Sequence, residues 1–338
     1  MKKLRAAVLV HETLVPPEGA HELSVADRAD FQTELDVGDA LTALGHEVQF
    51  VGVSDELAPI RNSIAWFDPH VIFNLLEEFR EQAIYDAHVV GYLELKRAPY
   101  TGCNPRGLTL ARDKALSKKI LAYHRIRVPR FHVFPRHRKI RRPKHLEFPL
   151  IVKSLIEEGS YGIAQASLVT NDKALADRVS FIHETIRTDA VVEQYIDGRE
   201  VYSAVLGNHR LQVLPTWEIM LDKLPEDAAR IATRKVKWDL EYQEKHDIRL
   251  ARAELTPELE RRIVKLSRRI TRNLGIDGYV RIDYRLTADG ELYFLEANPN
   301  PDIADFEEFA SAAAAAGMSY EALIQRIVNL GIRRAEKG

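Results

Sequence analysis

The chain has 338 residues, with 48 Lys and Arg against 50 Asp and Glu, a formal net charge of −2 and 46% hydrophobic residues. That length supports two or three domains with a substantial core, and the balanced charge gives no global basic excess for nucleic acid. Its one cysteine, Cys103, excludes an intrachain disulfide and a cysteine zinc site, and fits a reducing compartment. The apolar run after the basic start MKKLR stops at His11, too short for a signal peptide. No run approaches a membrane span, so a cytoplasmic protein is expected.

Residues 4–10 (LRAAVLV) read as a buried strand, followed by a Pro/Gly/His loop. A helix over about 32–44 closes at Gly45, HEVQFVGV is the second strand and PHVIFNLL the third. Strands alternating with helices predict a parallel α/β sheet, in which ligands gather at the carboxyl ends of strands. His11, Glu12, Asn74 and Glu77 would lie there, though each also reads as an ordinary loop residue. PYTGCNPRG (99–107) is a turn-rich boundary, and a single helix is predicted over about 108–124. RVPRFHVF, FPLIVKSL and AVVEQYI are the strands of a second block. The basic stretch RFHVFPRHRKIRRPKHLEF is the one candidate nucleic-acid patch, but it lacks aromatics at stacking intervals and reads better as a solvated linker. A third block opens at GREVYSAVLG. It holds a helix over 256–274 with a Thr cap and a closing Gly275, and another helix through the Ala run 312–316.

The third block also contains GYVRIDYRLTADGELYFLEANPNPD (278–302), two alternating runs joined by Asp-Gly, a strong hairpin signal. With Asp289 and Gly290 as a two-residue turn, Asp283 falls opposite Glu296 and Arg281 opposite Asn298. Facing carboxylates repel unless a cation lies between them, and a set of oxygens alone suits Mg²⁺ shared with substrate phosphates. The alternative is a surface hairpin with solvated charges. For phosphates, Lys153 ends one strand, and Gly159 and Gly162 in the following loop let backbone amides approach a ligand. Neither GxxxxGK[ST] nor GxGxxG occurs, so neither a Walker loop nor a nicotinamide site is supported. In VVEQYIDGRE, backbone could read an adenine edge and Glu200 could accept both ribose hydroxyls.

This succession resembles the ATP-grasp superfamily, and most closely the D-alanine–D-alanine ligase family. The likeness rests on PYTG (99–102), DKALSKK (113–119), FPLIVK (148–153), EGSYGI (158–163), VVEQYIDGRE (191–200), RIDYRL (281–286) and LYFLEANPNP (292–301). It implies an α/β fold, α+β in the C-terminal half: an ATP-grasp fold behind an N-terminal parallel-sheet, Rossmann-like domain. The implied limits are 1–108 (substrate side), 109–194 (central, with the flap) and 195–338 (C-terminal, with the Mg²⁺ site). Lys114 and Lys153 match phosphate contacts, and Glu158, Gly159, Ser160 and Gly162 match the flap. Glu193 matches a residue near the adenine amino group, and Tyr195 and Ile196 match the backbone that reads its edge. Glu200 matches a ribose ligand and Lys237 a phosphate-contacting lysine of a mobile loop. Arg281 matches the arginine that stabilises developing charge, while Asp283, Glu296 and Asn298 match the ligands of two Mg²⁺ ions, with Mn²⁺ as an alternative.

The implied activity is ATP-dependent joining of a small carboxylate to an amine through an acyl phosphate, without nucleic acid or membrane and with a homodimer allowed. The rival expectations are a kinase or carboxylase of the same fold, or a module that binds nucleotide, or nucleic acid through 130–145, without turnover. Four stretches depart from the family. HETLVPPEGAHELSVADRADFQTEL lacks the Gly-rich first loop, and NLLEEFREQ replaces a His-Gly-rich segment. Asp302 stands where Gly is expected, and ADFEEFA replaces a Ser-containing segment. The acids Asp302, Glu307 and Glu308 disfavour a free carboxylate, so D-alanine is not the expected acceptor.

Overall fold

The computed structural model describes residues 3–157, 162–225 and 228–336. The chain begins with β1 (Arg5–His11), α1 (Val25–Arg28), α2 (Gln32–Ala43), β2 (Glu47–Val53), α3 (Ala58–Asn62), β3 (Val71–Asn74) and α4 (Asp86–Leu95). The strands form a parallel sheet in the order β2-β1-β3. Residues 6–10 of β1 are buried on both faces. Ala7 and Leu9 pack with Val89, Val90 and Leu93 of α4, and Ala6, Val8 and Val10 with Val37 and Leu41 of α2. Burial on both faces is why this strand reads as one unbroken apolar run.

The segment predicted as one helix over 108–124 is two: α5 (Pro105–Arg112) and α6 (Lys114–Tyr123). Asp113 breaks it, because its side chain turns back to accept from the backbone amides of Ala115 and Leu116 and so caps α6. Next come β4 (Phe131–Phe134), β5 (Leu150–Ser154), β6 (Leu168–Val169), α7 (Asp172–Phe181) and β7 (Ala190–Gln194), an antiparallel sheet in the order β4-β7-β5-β6. Leu150, Val152, Ala190 and Val192 pack on Leu175 and Val179 of α7. The basic stretch between β4 and β5 is anchored at Arg142, which pairs with Asp172 at 2.7 Å and stacks over Phe148 at 4.7 Å.

The remaining elements are β8 (Arg199–Leu206), β9 (Gln212–Val213), β10 (Trp217–Met220), α8 (Arg234–Trp238), α9 (Leu240–Lys245), β11 (Arg249–Arg252), α10 (Pro257–Asn273), β12 (Tyr279–Leu286), β13 (Leu292–Pro299), α11 (Glu308–Ala315) and α12 (Tyr320–Ala335). An antiparallel sheet runs β11-β10-β8-β12-β13, with β9 paired to β8. Thr256 caps α10, whose Ile263, Ser267 and Ile270 recur at helical spacing and face the sheet. The Ser267 hydroxyl is satisfied there by Tyr284 at 2.8 Å and Ser203 at 2.9 Å.

The β12–β13 hairpin differs from its predicted turn. Thr287 and Glu291 pair around three residues, with Gly290 in the left-handed region at φ +81°. The register shifts by one between Asp283 and Tyr284, where Leu295 is extra on β13. The two departures cancel, so Asp283 does face Glu296 and Arg281 does face Asn298.

One glycine ties the N-terminal part of the chain to this sheet. Gly278, just before β12, sits at φ +71°, and a Cβ there would lie 2.4 Å from the Gly102 carbonyl oxygen in PYTG. Backbone meets backbone, so no side chain can yield. Gly278→Ala is therefore expected to cost about 3 kcal/mol, combining left-handed strain with overpacking. Chemical denaturation would check this; an unchanged midpoint would remove the close approach from the account.

Candidate active site

The bulge at Leu295 orients the site. On β12, Val280, Ile282, Tyr284 and Leu286 join the core, leaving Arg281, Asp283 and Arg285 on the other face. On β13, Leu292 and Phe294 face the core with Ala297. A regular strand would carry Glu296 inward with Leu292 and Phe294, but the extra residue switches the alternation and sends Glu296 and Asn298 to the face of Asp283. The buried carbonyl of Leu295 accepts from Lys118 Nζ at 2.6 Å.

Lys118 is the principal site residue that sequence reasoning missed. It is fully buried on α6, and its Nζ lies 2.8 Å from one oxygen of Glu193, while Lys153 Nζ lies 3.4 Å from the other. Burial favours the neutral carboxyl of Glu193, but Lys118 and Lys153 outweigh it and hold that carboxyl below its usual range. Burial likewise works against the Lys153 ammonium, yet Glu193 and Glu296 raise its pKa. Lys114 Nζ is 3.7 Å from Glu296. Against the cost of burial, Lys114, Lys153 and Lys237 bring the Glu296 carboxyl down to about 2. The signal for Lys118 was its place four residues after Lys114, on the same helical face.

Asp283 is buried, and burial raises its pKa despite the neighbouring guanidinium. Arg281 Nε and Nη2 reach its two oxygens at 2.8 and 3.1 Å, and Arg281 Nη1 is 3.6 Å from Glu308. The Asn298 amide nitrogen donates to Asp283 at 3.2 Å, so its carbonyl oxygen is left as an acceptor. Among the described residues no three His, Cys, Asp or Glu side chains converge as a metal cluster. Two carboxylates and one amide oxygen fit a hard divalent cation that takes its other ligands from substrate and water.

Lys153, Glu193, Tyr195, Ile196, Glu200 and Lys237 line a cleft that also contains Asp283 and Glu296. Ile151, Ile163 and Leu295 supply apolar walls of the kind a planar base requires. One Glu200 oxygen accepts from Arg285 at 2.9 Å and the other from the Tyr202 hydroxyl at 3.1 Å. Arg285, also missed, follows Arg281 and Asp283 at the two-residue period of the strand. Gly162 stands at φ +74° beside Ile182 and Ile186. Glu158, Gly159 and Ser160 lie outside the described residues.

A cleft between two antiparallel sheets, with buried lysines on one side and opposed carboxylates on the other, is the arrangement that the resemblance to ATP-grasp enzymes implies. Comparison with known proteins narrows the class. The family described as D-ala D-ala ligase C-terminus matches residues 120–329. The D-alanine–D-alanine ligase of Desulforudis audaxviator is 31% identical, covering 74% of this chain and 78% of its own. A Sinorhizobium fredii protein, y4sG, is 32% identical over 78% of this chain and 75% of its own. The crystal structure of a Bacillus anthracis D-alanine–D-alanine ligase complexed with ATP superposes with a TM-score of 0.77, covering 99% of each chain. At 22% identity that likeness speaks to the fold alone. The chain belongs to the D-alanine–D-alanine ligase family. It is an ATP-using ligase that forms carbon–nitrogen bonds.

Proposed function

We propose that this ligase activates a small carboxylate as an acyl phosphate and passes it to an amine other than D-alanine, with Asp283, Glu296 and Asn298 holding Mg²⁺. The observation that carries the assignment is the meeting of Asp283 and Glu296 across the hairpin, beside Lys114, Lys153 and Lys237. Residues 1–108 form the substrate side, and residues 109–194 and 195–338 are the halves that enclose nucleotide. Lys114 and Lys153 bind phosphate oxygens, the backbone at Tyr195 and Ile196 reads the adenine edge, and Glu200 takes the ribose. Lys237 adds charge from the short helix α8, where the sequence predicts a loop. Mg²⁺, when bound, neutralises the triphosphate and favours its cleavage. The substrate carboxylate then attacks the γ-phosphorus and ADP leaves. The amine attacks the acyl carbon, phosphate departs, and the nitrogen loses a proton as the amide forms. Arg281 and the lysines stabilise charge that grows during both steps, which is where preorganised groups contribute most.

Two measurements test this. Phosphate release from ATP should depend on both a carboxylate and an amine, whereas a kinase would need no amine. Lys153→Ala should weaken ATP binding by about 1.5–3 kcal/mol, since a charge-assisted phosphate contact is lost. Titration calorimetry giving equal affinities for the two proteins would refute the phosphate assignment.

A further inference from the structure

A second group of acids lies beyond Arg281 from Asp283, and the nucleotide chemistry does not use it. Glu307 and Glu308 stand at the start of α11, Asp302 in the loop after β13 and Glu34 on α2. Asp302 accepts from the Thr33 hydroxyl at 2.8 Å, and Asp36 accepts from the backbone amide of Asp305 at 3.0 Å. The loop and helix are thus joined on both sides of Glu34. Glu34 is only 5% exposed, its carboxylate accepts from its own backbone amide, and among the described residues no cation meets it. Burial first, and then the charge of Asp302, lifts its pKa to about 7. Nearby, the buried Tyr279 hydroxyl has no hydrogen-bond partner among the described residues and feels the charges of Glu77 and Asp302.

Arg281 is already flanked by acids in this arrangement. Two of its nitrogens are committed to Asp283 and the third to Glu308. A buried carboxylate that meets no cation is costly, and a cation within about 4–6 Å offsets that cost. We propose that Glu34, Asp302 and Glu307 recognise a positive charge on the amine substrate, remote from the nitrogen that attacks. A diamine or polyamine meets that requirement: one nitrogen is neutral and nucleophilic, the other stays an ammonium against the acids. An amino acid with a free carboxylate does not. The proposal deepens the ligase assignment and rests on it.

The test is calorimetric titration of putrescine, spermidine and D-alanine into the full chain loaded with Mg²⁺ and a non-hydrolysable ATP analogue. We expect either polyamine to bind at least tenfold more tightly than D-alanine. Glu34→Gln and Glu307→Gln should each weaken polyamine binding at least fivefold while leaving affinity for the analogue within twofold. Glu34→Gln keeps the shape of a side chain whose charged form burial already disfavours, so its thermal midpoint should match or exceed the wild type, which separates lost recognition from lost folding. D-alanine binding as well as spermidine, no amine binding at all, or variants that bind polyamine like the wild type would overturn the proposal while leaving the nucleotide assignment intact. Failure of the wild type to bind the ATP analogue would instead overturn the assignment beneath it.

Discussion

Lys118→Met is expected to cost about 3–5 kcal/mol of folding stability, the range for breaking a buried ion pair by removing one partner. Glu193 would keep only Lys153, at 3.4 Å, and the Leu295 carbonyl would lose its donor. The effect should extend to function, because Lys118 joins β7 to the bulge that turns Glu296 toward Asp283. Lys119→Met is the control: its side chain is exposed one residue away and should change stability by less than about 0.5 kcal/mol. Urea denaturation of the two variants decides it, and equal midpoints would mean that the Lys118–Glu193 pair carries no such weight.

Glu296→Gln is expected to reduce Mg²⁺-dependent turnover by about 10²–10³-fold, the scale of losing one preorganised charge-stabilising group. Shape is kept and the core face of β13 is untouched, so stability should change little. The loss should lie in kcat and in the concentration of Mg²⁺ required. Normal turnover at normal Mg²⁺ would remove Glu296 from the metal site.

Much of this site was legible in the sequence because strand alternation and hairpin pairing depend on local chemistry. Asp283 opposite Glu296 follows from two alternating runs and a turn. The agreement nevertheless rests on two cancelling departures. A three-residue loop closed by Gly290 displaces the pairing by one, and the bulge at Leu295 restores it. Neither is visible in the pattern, because the bulge is selected by packing: Phe294 must reach the core while Glu296 leaves it. The break at Asp113 escaped for the opposite reason. An Asp inside a helical run is a weak signal until its side chain is seen capping the next helix. Lys118 hid among the lysines of DKALSKK, where an exposed and a fully buried lysine, Lys119 and Lys118, are adjacent. The acids at 302–308 were legible as acids, but their approach to Glu34 crosses about 270 residues of sequence and follows only from how α2 packs against the loop after β13.

The most direct test of the account is anomalous diffraction from crystals grown with Mn²⁺ and a non-hydrolysable ATP analogue, since Mn²⁺ takes the oxygen ligands that suit Mg²⁺. An anomalous peak is expected between the strands, about 2.0–2.3 Å from oxygens of Asp283, Glu296 and Asn298, with phosphate oxygens completing the shell. A peak elsewhere, with Arg281 still closed on Asp283 and no metal contact to Glu296, would contradict it.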